Sequence, residues 1–171
     1  MYQDSRVSFG PGSSTGPTDV VAYGPDGGTE DDHHLLGDLK GKRVLELGCV
    51  TAQRSIAFAL QGATAIGVDF SPEMIDAAKR LCERERVRVE IRQSDLADLA
   101  FLRADSVDLV VSVYALSYGR DVERVFRQAT GCSRWVRPWC SACATPCTTC
   151  STTPTRSAPP SWPAPTSTAL R

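Results

Sequence analysis

Residues 43–52 read Arg43-Val44-Leu45-Glu46-Leu47-Gly48-Cys49-Val50-Thr51-Ala52, an aliphatic run closed by a glycine. Its branched side chains, bounded by Gly41 and Gly48, predict a buried strand, and a helix is expected to follow over about 53–60. The alternation then repeats. Residues 63–68 form a second apolar run ended by Asp69, and Ser71-Pro72-Glu73 supplies a hydroxyl cap, a proline at the first helical position and an early acid. That helix is expected to reach about Arg84, with Met74, Ile75, Ala78 and Leu81 as its apolar stripe. Val87, Val89 and Ile91 alternate with charged residues, residues 107–113 are strongly aliphatic, and a last helix is expected over about 121–128. Strands alternating with helices at this spacing imply parallel strands joined by helical crossovers. The expected fold is α/β, a doubly wound, mostly parallel sheet of about four strands.

Upstream, residues 1–28 are rich in Gly, Pro, Ser and Thr and are expected to form a flexible arm. Thr29 followed by Glu30, Asp31 and Asp32 marks a short helix with Leu35, Leu36 and Leu39 on one side. The chain has 171 residues with 19 basic and 20 acidic side chains, so one domain fits and no electrostatic case for nucleic acid exists. No apolar run approaches the ~18–20 residues of a membrane helix, and residues 1–16 lack a signal-peptide pattern, so a cytoplasmic protein is expected. The averages conceal a break. All 20 acidic residues lie in 1–128, whereas 129–171 hold five of seven Cys, all three Trp and seven of eleven Pro.

In open parallel sheets, ligands bind beyond the carboxyl ends of the strands. Three such ends are suggestive: Glu46 to Ala52, Val68-Asp69-Phe70-Ser71, and Gln93-Ser94-Asp95-Leu96. Asp69 lies 21 residues after Gly48, which sets a carboxylate at the neighbouring strand end, where it can accept both hydroxyls of a ribose. Gly-x-Gly-x-x-Gly is missing after the first strand and Glu46 sits inside that strand's end, which argues against a dinucleotide oxidoreductase.

Val44-Leu45-Glu46-Leu47-Gly48-Cys49, Gly67-Val68-Asp69-Phe70-Ser71, Met74, Ser94-Asp95-Leu96 and residues 107–112 together resemble the Rossmann-like (class I) methyltransferases that use S-adenosylmethionine, in the type 11, ubiquinone and menaquinone methyltransferase-like group. The match spans about 22–128, so residues 29–128 are expected to form the cofactor-binding domain. The resemblance implies methyl transfer to a small-molecule acceptor. It implies Glu46 and Gly48 along the methionine and ribose portion, Asp69 on the ribose hydroxyls, Met74 against adenine, and Asp95 with Leu96 at the adenine edge, with Cys49, Phe70 and Ser94 as further cofactor-binding residues. Val113 and Tyr114 would face the transferring methyl. Val50 and Ala52 replace two glycines of the family's loop, where side chains would crowd the cofactor or force the loop out of positive φ. In-line displacement needs no dedicated nucleophile, and no catalytic residue is assigned; His33, His34, Tyr114 and Tyr118 are the candidates for a base. A non-catalytic remnant or cofactor-binding module is the alternative.

The family fold continues with a further helix and strands, yet after Gln128 only Val136 and Leu170 are branched aliphatic. Such a tail is expected to be irregular, leaving a truncated sheet with an open fourth-strand edge through which chains would self-associate. Cys140, Cys143, Cys147 and Cys150 lie too close together to wrap a tetrahedral zinc, and iron–sulfur spacing fits no better, so no metal is expected. The genetic code offers another origin. Moving the frame by one base makes the Trp139–Cys140 junction GTG, valine, and the Trp135–Val136 junction GGT, glycine. With the TCN form of serine at Ser141 the Cys140–Ser141 junction gives Phe or Leu, and the junctions entering Trp139 or leaving Ala142 for Cys143 give Leu, Val or Met. A glycine turn and an apolar run emerge where a fifth strand belongs, which suggests a frameshift near Gln128.

Overall fold

The computed structural model describes residues 18–24, 28–118 and 121–134, and the backbone of Cys140 and Ser141. Four parallel strands form the sheet's body: β1 (Arg43–Leu47), β2 (Thr64–Asp69), β3 (Glu90–Gln93) and β4 (Leu109–Val113). The helices are α1 (Glu30–His33), α2 (Gln53–Leu60), α3 (Pro72–Glu85) and α4 (Val122–Cys132), and a two-residue β5 (Cys140–Ser141) completes the order β3-β2-β1-β4-β5. Chain order therefore reverses direction between β1 and β4, which opens a crevice at their carboxyl ends. β1 has neighbours on both sides, pairing Arg43 to Leu47 with Thr64 to Val68 and Val44 to Leu47 with Leu109 to Ser112.

Alternation along the strands divides the core. Val44, Ala65, Val111 and Val113 face α2 and meet Phe58, Leu36 and Leu39, and α2 and α3 share a smaller cluster built on Ala52, Ile56, Ala78 and Cys82. Leu45, Leu47, Ile66 and Val68 face the other way, against Leu96, Leu99 and the α4 residues Val125, Ala129 and Cys132. α3 begins as its residues dictate: Ser71 Oγ accepts the Met74 N–H at 3.3 Å and Pro72 occupies the first turn. Among the described residues no helix is long and apolar enough to cross a membrane, and no cluster of metal-ligating side chains occurs.

Four expectations change. Residues 18–24, read as part of a loose arm, are held in the core: Val21 and Tyr23 are each 1% exposed and lie in the same cluster as Val44 and Val111. They pair back on the chain, with Tyr23 N–H donating to Gly28 O at 2.9 Å and Glu30 N–H to Val21 O at 2.8 Å. The Glu30 carboxylate then accepts the Tyr23 hydroxyl and the backbone amides of Leu35, Leu36 and Gly37. Burial and this carboxylate push the Tyr23 hydroxyl well above the ordinary tyrosine range, so it remains a donor. Second, α4 crosses the compositional break and ends at Cys132, because Ala129 and Cys132 complete its buried stripe. Third, β3 starts at Glu90; Val87 and Val89 pack ahead of it against Cys82 and Ala78. Fourth, the β4 edge expected to be open carries partners, as Ser112 and Val113 align with Cys140 and Ser141 and Arg134 N–H donates to Val107 O at 2.8 Å. Cys143, Cys147 and Cys150, residues 1–17 and the rest of the tail lie outside the described residues.

The buried position of Tyr23 makes a stability prediction. Tyr23→Ala is expected to lower unfolding free energy by about 3 kcal/mol. Tyr23→Phe should cost about 1 kcal/mol, because the packing is kept while the hydrogen bond to Glu30 is lost. Urea unfolding of the two variants checks the order.

Candidate functional site

The carboxyl ends of β1, β2, β3 and β4 converge around the Gly48–Ala52 connection. Gly48 has φ +74° and a Cβ there would lie 2.1 Å from Ala115 Cβ, so both backbone conformation and the approach of the chain after β4 require glycine. Gly48 and Cys49 N–H both donate to Val68 O, at 2.8 and 3.0 Å, which ties the loop to the end of β2. Val50 follows with φ 51° and Ala52 with φ 60°. The loop therefore keeps the positive-φ course that glycines would take. Left-handed backbone costs an L-residue about 1–2 kcal/mol, and it persists only where the surroundings impose it. Here Asp69 Oδ2 accepts Val50 N–H at 2.9 Å, and the Ala52 methyl is buried beside Ile56 and Cys82.

Glu46 is fully buried, and its carboxylate is used inside the protein: Arg54 Nε donates to Oε1 at 2.7 Å and Ser55 Oγ to Oε2 at 2.5 Å. It therefore faces the first turn of α2. α2 has no side-chain cap and no acid in its first turn, so Glu46 supplies from the strand below the negative charge that the helix amino terminus favours.

Asp69 is 5% exposed; Oδ1 accepts Ser71 N–H at 3.0 Å and Oδ2 accepts Val50 N–H. A carboxylate offers about four lone-pair positions, so about half remain for the hydroxyls of a sugar. Phe70, next in the chain, leaves 66% of its surface in solvent, and Met74 is half-buried one helical turn on. Ser94 N–H donates to Asp69 O at 3.0 Å and Gln93 Nε2 to Phe70 O at 3.4 Å, which draws the end of β3 beside them. Asp95 is exposed and accepts Ala97 N–H at 2.8 Å, while Ser94 Oγ donates to Asp98 O at 2.7 Å. Leu96 turns its side chain into the core beside Leu99 and Val68, so only its main chain stands at the rim.

Val113 likewise belongs to the core, with Val21 and Tyr23. Tyr114 is the residue at the surface there: it has φ 65°, and its ring lies against Gly24, where a Cβ would come within 2.3 Å of Cε2. Cys49 is buried against Gly67, and burial, reinforced by Glu46 and Asp69, pushes its thiol well up, so it is neutral and no nucleophile. His33, His34 and Tyr118 are exposed. The sequence reading brought Gly48, Asp69, Phe70, Met74 and Ser94 to one end of the sheet, and missed Arg54, Ser55 and Tyr23. Arg54 and Ser55, eight and nine residues after Glu46, carry the only available signal: a tight strand-to-helix turn lays the first helical turn over the strand's end.

A family model described as a methyltransferase domain matches residues 44–138. The magnesium-protoporphyrin O-methyltransferase of Rhodobacter capsulatus is 38% identical over 97 residues, covering 55% of this chain and 42% of that protein. The ubiquinone biosynthesis O-methyltransferase of Coxiella burnetii is 30% identical over 100 residues, covering 58% and 41%. A solved S-adenosylmethionine dependent methyltransferase from Mesorhizobium loti superposes with a TM-score of 0.51 at 30% identity, over 58% of this chain and 45% of that one. The chain spans about two fifths of the length of the curated relatives it matches.

The loop makes two predictions of opposite sign. Val50→Gly is expected to raise unfolding free energy by about 1 kcal/mol, since relief of the left-handed strain outweighs the added freedom of the unfolded chain. Gly48→Ala should lower it by about 2–3 kcal/mol through the clash with Ala115. Thermal melts of both variants against the parent decide.

Proposed function

Because the chain belongs to the methyltransferase-domain family, whose model matches more than half of it, we propose that it binds S-adenosylmethionine at the strand ends and serves methyl transfer to a small-molecule acceptor. The observation that carries this is Asp69, a nearly buried carboxylate with lone pairs to spare, held at the end of β2 beside the Gly48 loop. The residues fit the cofactor. Asp69 would take the ribose hydroxyls; the exposed Phe70 ring and Met74 would lie along adenine; Ser94, Asp95 and the main chain of Leu96 would meet its edge. Gly48 would leave room for the thioether end, and Cys49 would line the loop floor with its neutral thiol. Glu46 acts indirectly, by fixing α2 and the loop.

The cofactor supplies a methyl carbon activated on a sulfonium. The protein's part is alignment and exclusion of water, and Tyr114 and the 21–24 segment wall the side on which an acceptor would stand. Glu46 and Asp69 outweigh Arg54, and Asp95 at the end of β3 adds to the negative charge of the strand ends, which suits a positively charged ligand. The free, buried thiols Cys49, Cys82 and Cys132 suit a reducing cytoplasm.

The domain proposed to bind the cofactor runs from the Thr29 cap to the end of α4, and residues beyond it are proposed to be read out of frame. The fold supports a later break than Gln128, because Ala129 and Cys132 still serve the core. β5 also falls on Cys140 and Ser141, where the shifted frame encodes Val followed, for the TCN form of Ser141, by Phe or Leu. Sequencing the gene tests this: the shifted frame must be open and carry the apolar run.

Calorimetric titration of the full chain with S-adenosylmethionine is expected to show saturable, one-to-one uptake. Asp69→Asn should weaken it at least tenfold, and Phe70→Ala about threefold to tenfold, with both variants folded. Uptake without methyl transfer to any small acceptor would mark a binding module; no uptake would mark a remnant.

A further inference from the structure

The order β3-β2-β1-β4 gives the ligand a direction. With ribose at Asp69 on β2 and adenine toward Phe70 and β3, the remaining arm of the molecule must cross the Gly48 loop toward β1 and β4. That arm ends in an amino acid, whose carboxylate needs donors. Arg54, the second residue of α2, is the cation on that side. Its Nε–H is held by Glu46 at 2.7 Å, and Ser55 holds the other oxygen of the same buried carboxylate, so the guanidinium plane has an anchor. Its side chain is 19% exposed, and its Nη donors make no hydrogen bond among the described residues. The Arg54 charge also lowers both the Tyr23 hydroxyl and the Cys49 thiol against the larger effect of burial.

We propose that Arg54 receives the carboxylate of the cofactor's amino-acid end on its Nη edge, with Glu46 as the positioning residue that aims it. The proposal rests on the function proposed above. A guanidinium suits the task because its planar fork can grip one carboxylate with Nε and a second with its terminal nitrogens. Glu46 balances its charge, so the empty site holds no bare cation. Arg54 thereby selects ligands that carry the amino-acid arm.

The test titrates the full chain with S-adenosylhomocysteine and with methylthioadenosine, which lacks that arm. The parent should bind the first at least tenfold more tightly. Arg54→Met should lose at least tenfold for S-adenosylhomocysteine and stay within twofold for methylthioadenosine, and Arg54→Lys should fall between. Retained S-adenosylhomocysteine affinity in Arg54→Met overturns the proposal, as does an equal loss for both ligands in a variant with the parent's melting temperature. If Arg54→Met does not fold, the parent and the carboxamide of S-adenosylhomocysteine decide: a loss of tenfold or more supports the assignment, and unchanged affinity overturns it. A parent that binds neither ligand refutes the proposed function itself; a parent that binds both equally refutes only the role of Arg54.

Discussion

One buried charge sets the geometry on which the site depends. Glu46 has no exposure, and a carboxylate in that position is tolerated only if its oxygens are met by donors. Its donors are consecutive residues, Arg54 and Ser55, in the first turn of α2. Meeting them fixes where α2 starts above β1, and so fixes the span that Gly48 to Ala52 must cover. The short connection covers it by left-handed turns at Gly48, Val50 and Ala52. Those turns aim the amides of Gly48 and Cys49 at Val68 O and that of Val50 at Asp69. The Asp69 carboxylate is therefore oriented by a loop whose course follows from a different carboxylate, one strand away.

Where the chain accepts strain follows the same logic. Positive φ at His34 and Arg86 ends α1 and α3, a usual way to close a helix, and serves no ligand. Val50 and Tyr114 have no such role. Both sit at strand ends, one on each side of the crevice, and Tyr114 is braced by the ring contact with Gly24. The 21–24 segment is thus both part of the core, through Val21 and Tyr23, and a wall of the site. Its grip on Glu30 spreads through the amides of Leu35, Leu36 and Gly37 to the residues that cover β1 and β4. Stability and site shape are joined on this face of the sheet.

The alternation of strands and helices was legible because strands buried on both faces must be nearly continuous in aliphatic residues, as 43–47, 64–68 and 109–113 are. The strand-end positions of Gly48, Asp69 and Ser94 followed from the spacing. The duty of Glu46 was not legible, since Arg54 and Ser55 look like ordinary wet helix residues until the turn brings them over the strand. Tyr23 and Val21 were hidden by the Gly, Pro and Ser around them, which speak of turns without saying what the turns enclose. Leu96 and Val113 were misplaced by one face: position at a strand end does not say which way a side chain points, and both point into the core. The end of α4 was concealed because Ala129 and Cys132 carry little hydropathic signal, yet small residues suit a helix set close on Leu45 and Val107.

The far side of the sheet shows what the tail lacks. Along β1, Val44 and Leu45 are wholly buried, whereas their partners Leu109 and Val110 on β4 are only half-buried. Two residues of β5 reach the end of that edge, and residues 132–134 bond only to its start, at Val107 and Asp108, among the described residues. An aliphatic strand that is half covered calls for an apolar neighbour, because each uncovered branched side chain forfeits about 1–2 kcal/mol of burial. Beyond α4 the sequence has two branched aliphatic residues, Val136 and Leu170. The demand made by Leu109 and Val110 and the supply offered downstream do not match. The mismatch is confined to one side of an otherwise coherent sheet, so the shortfall lies at the outer edge of β4 and not between the four main strands.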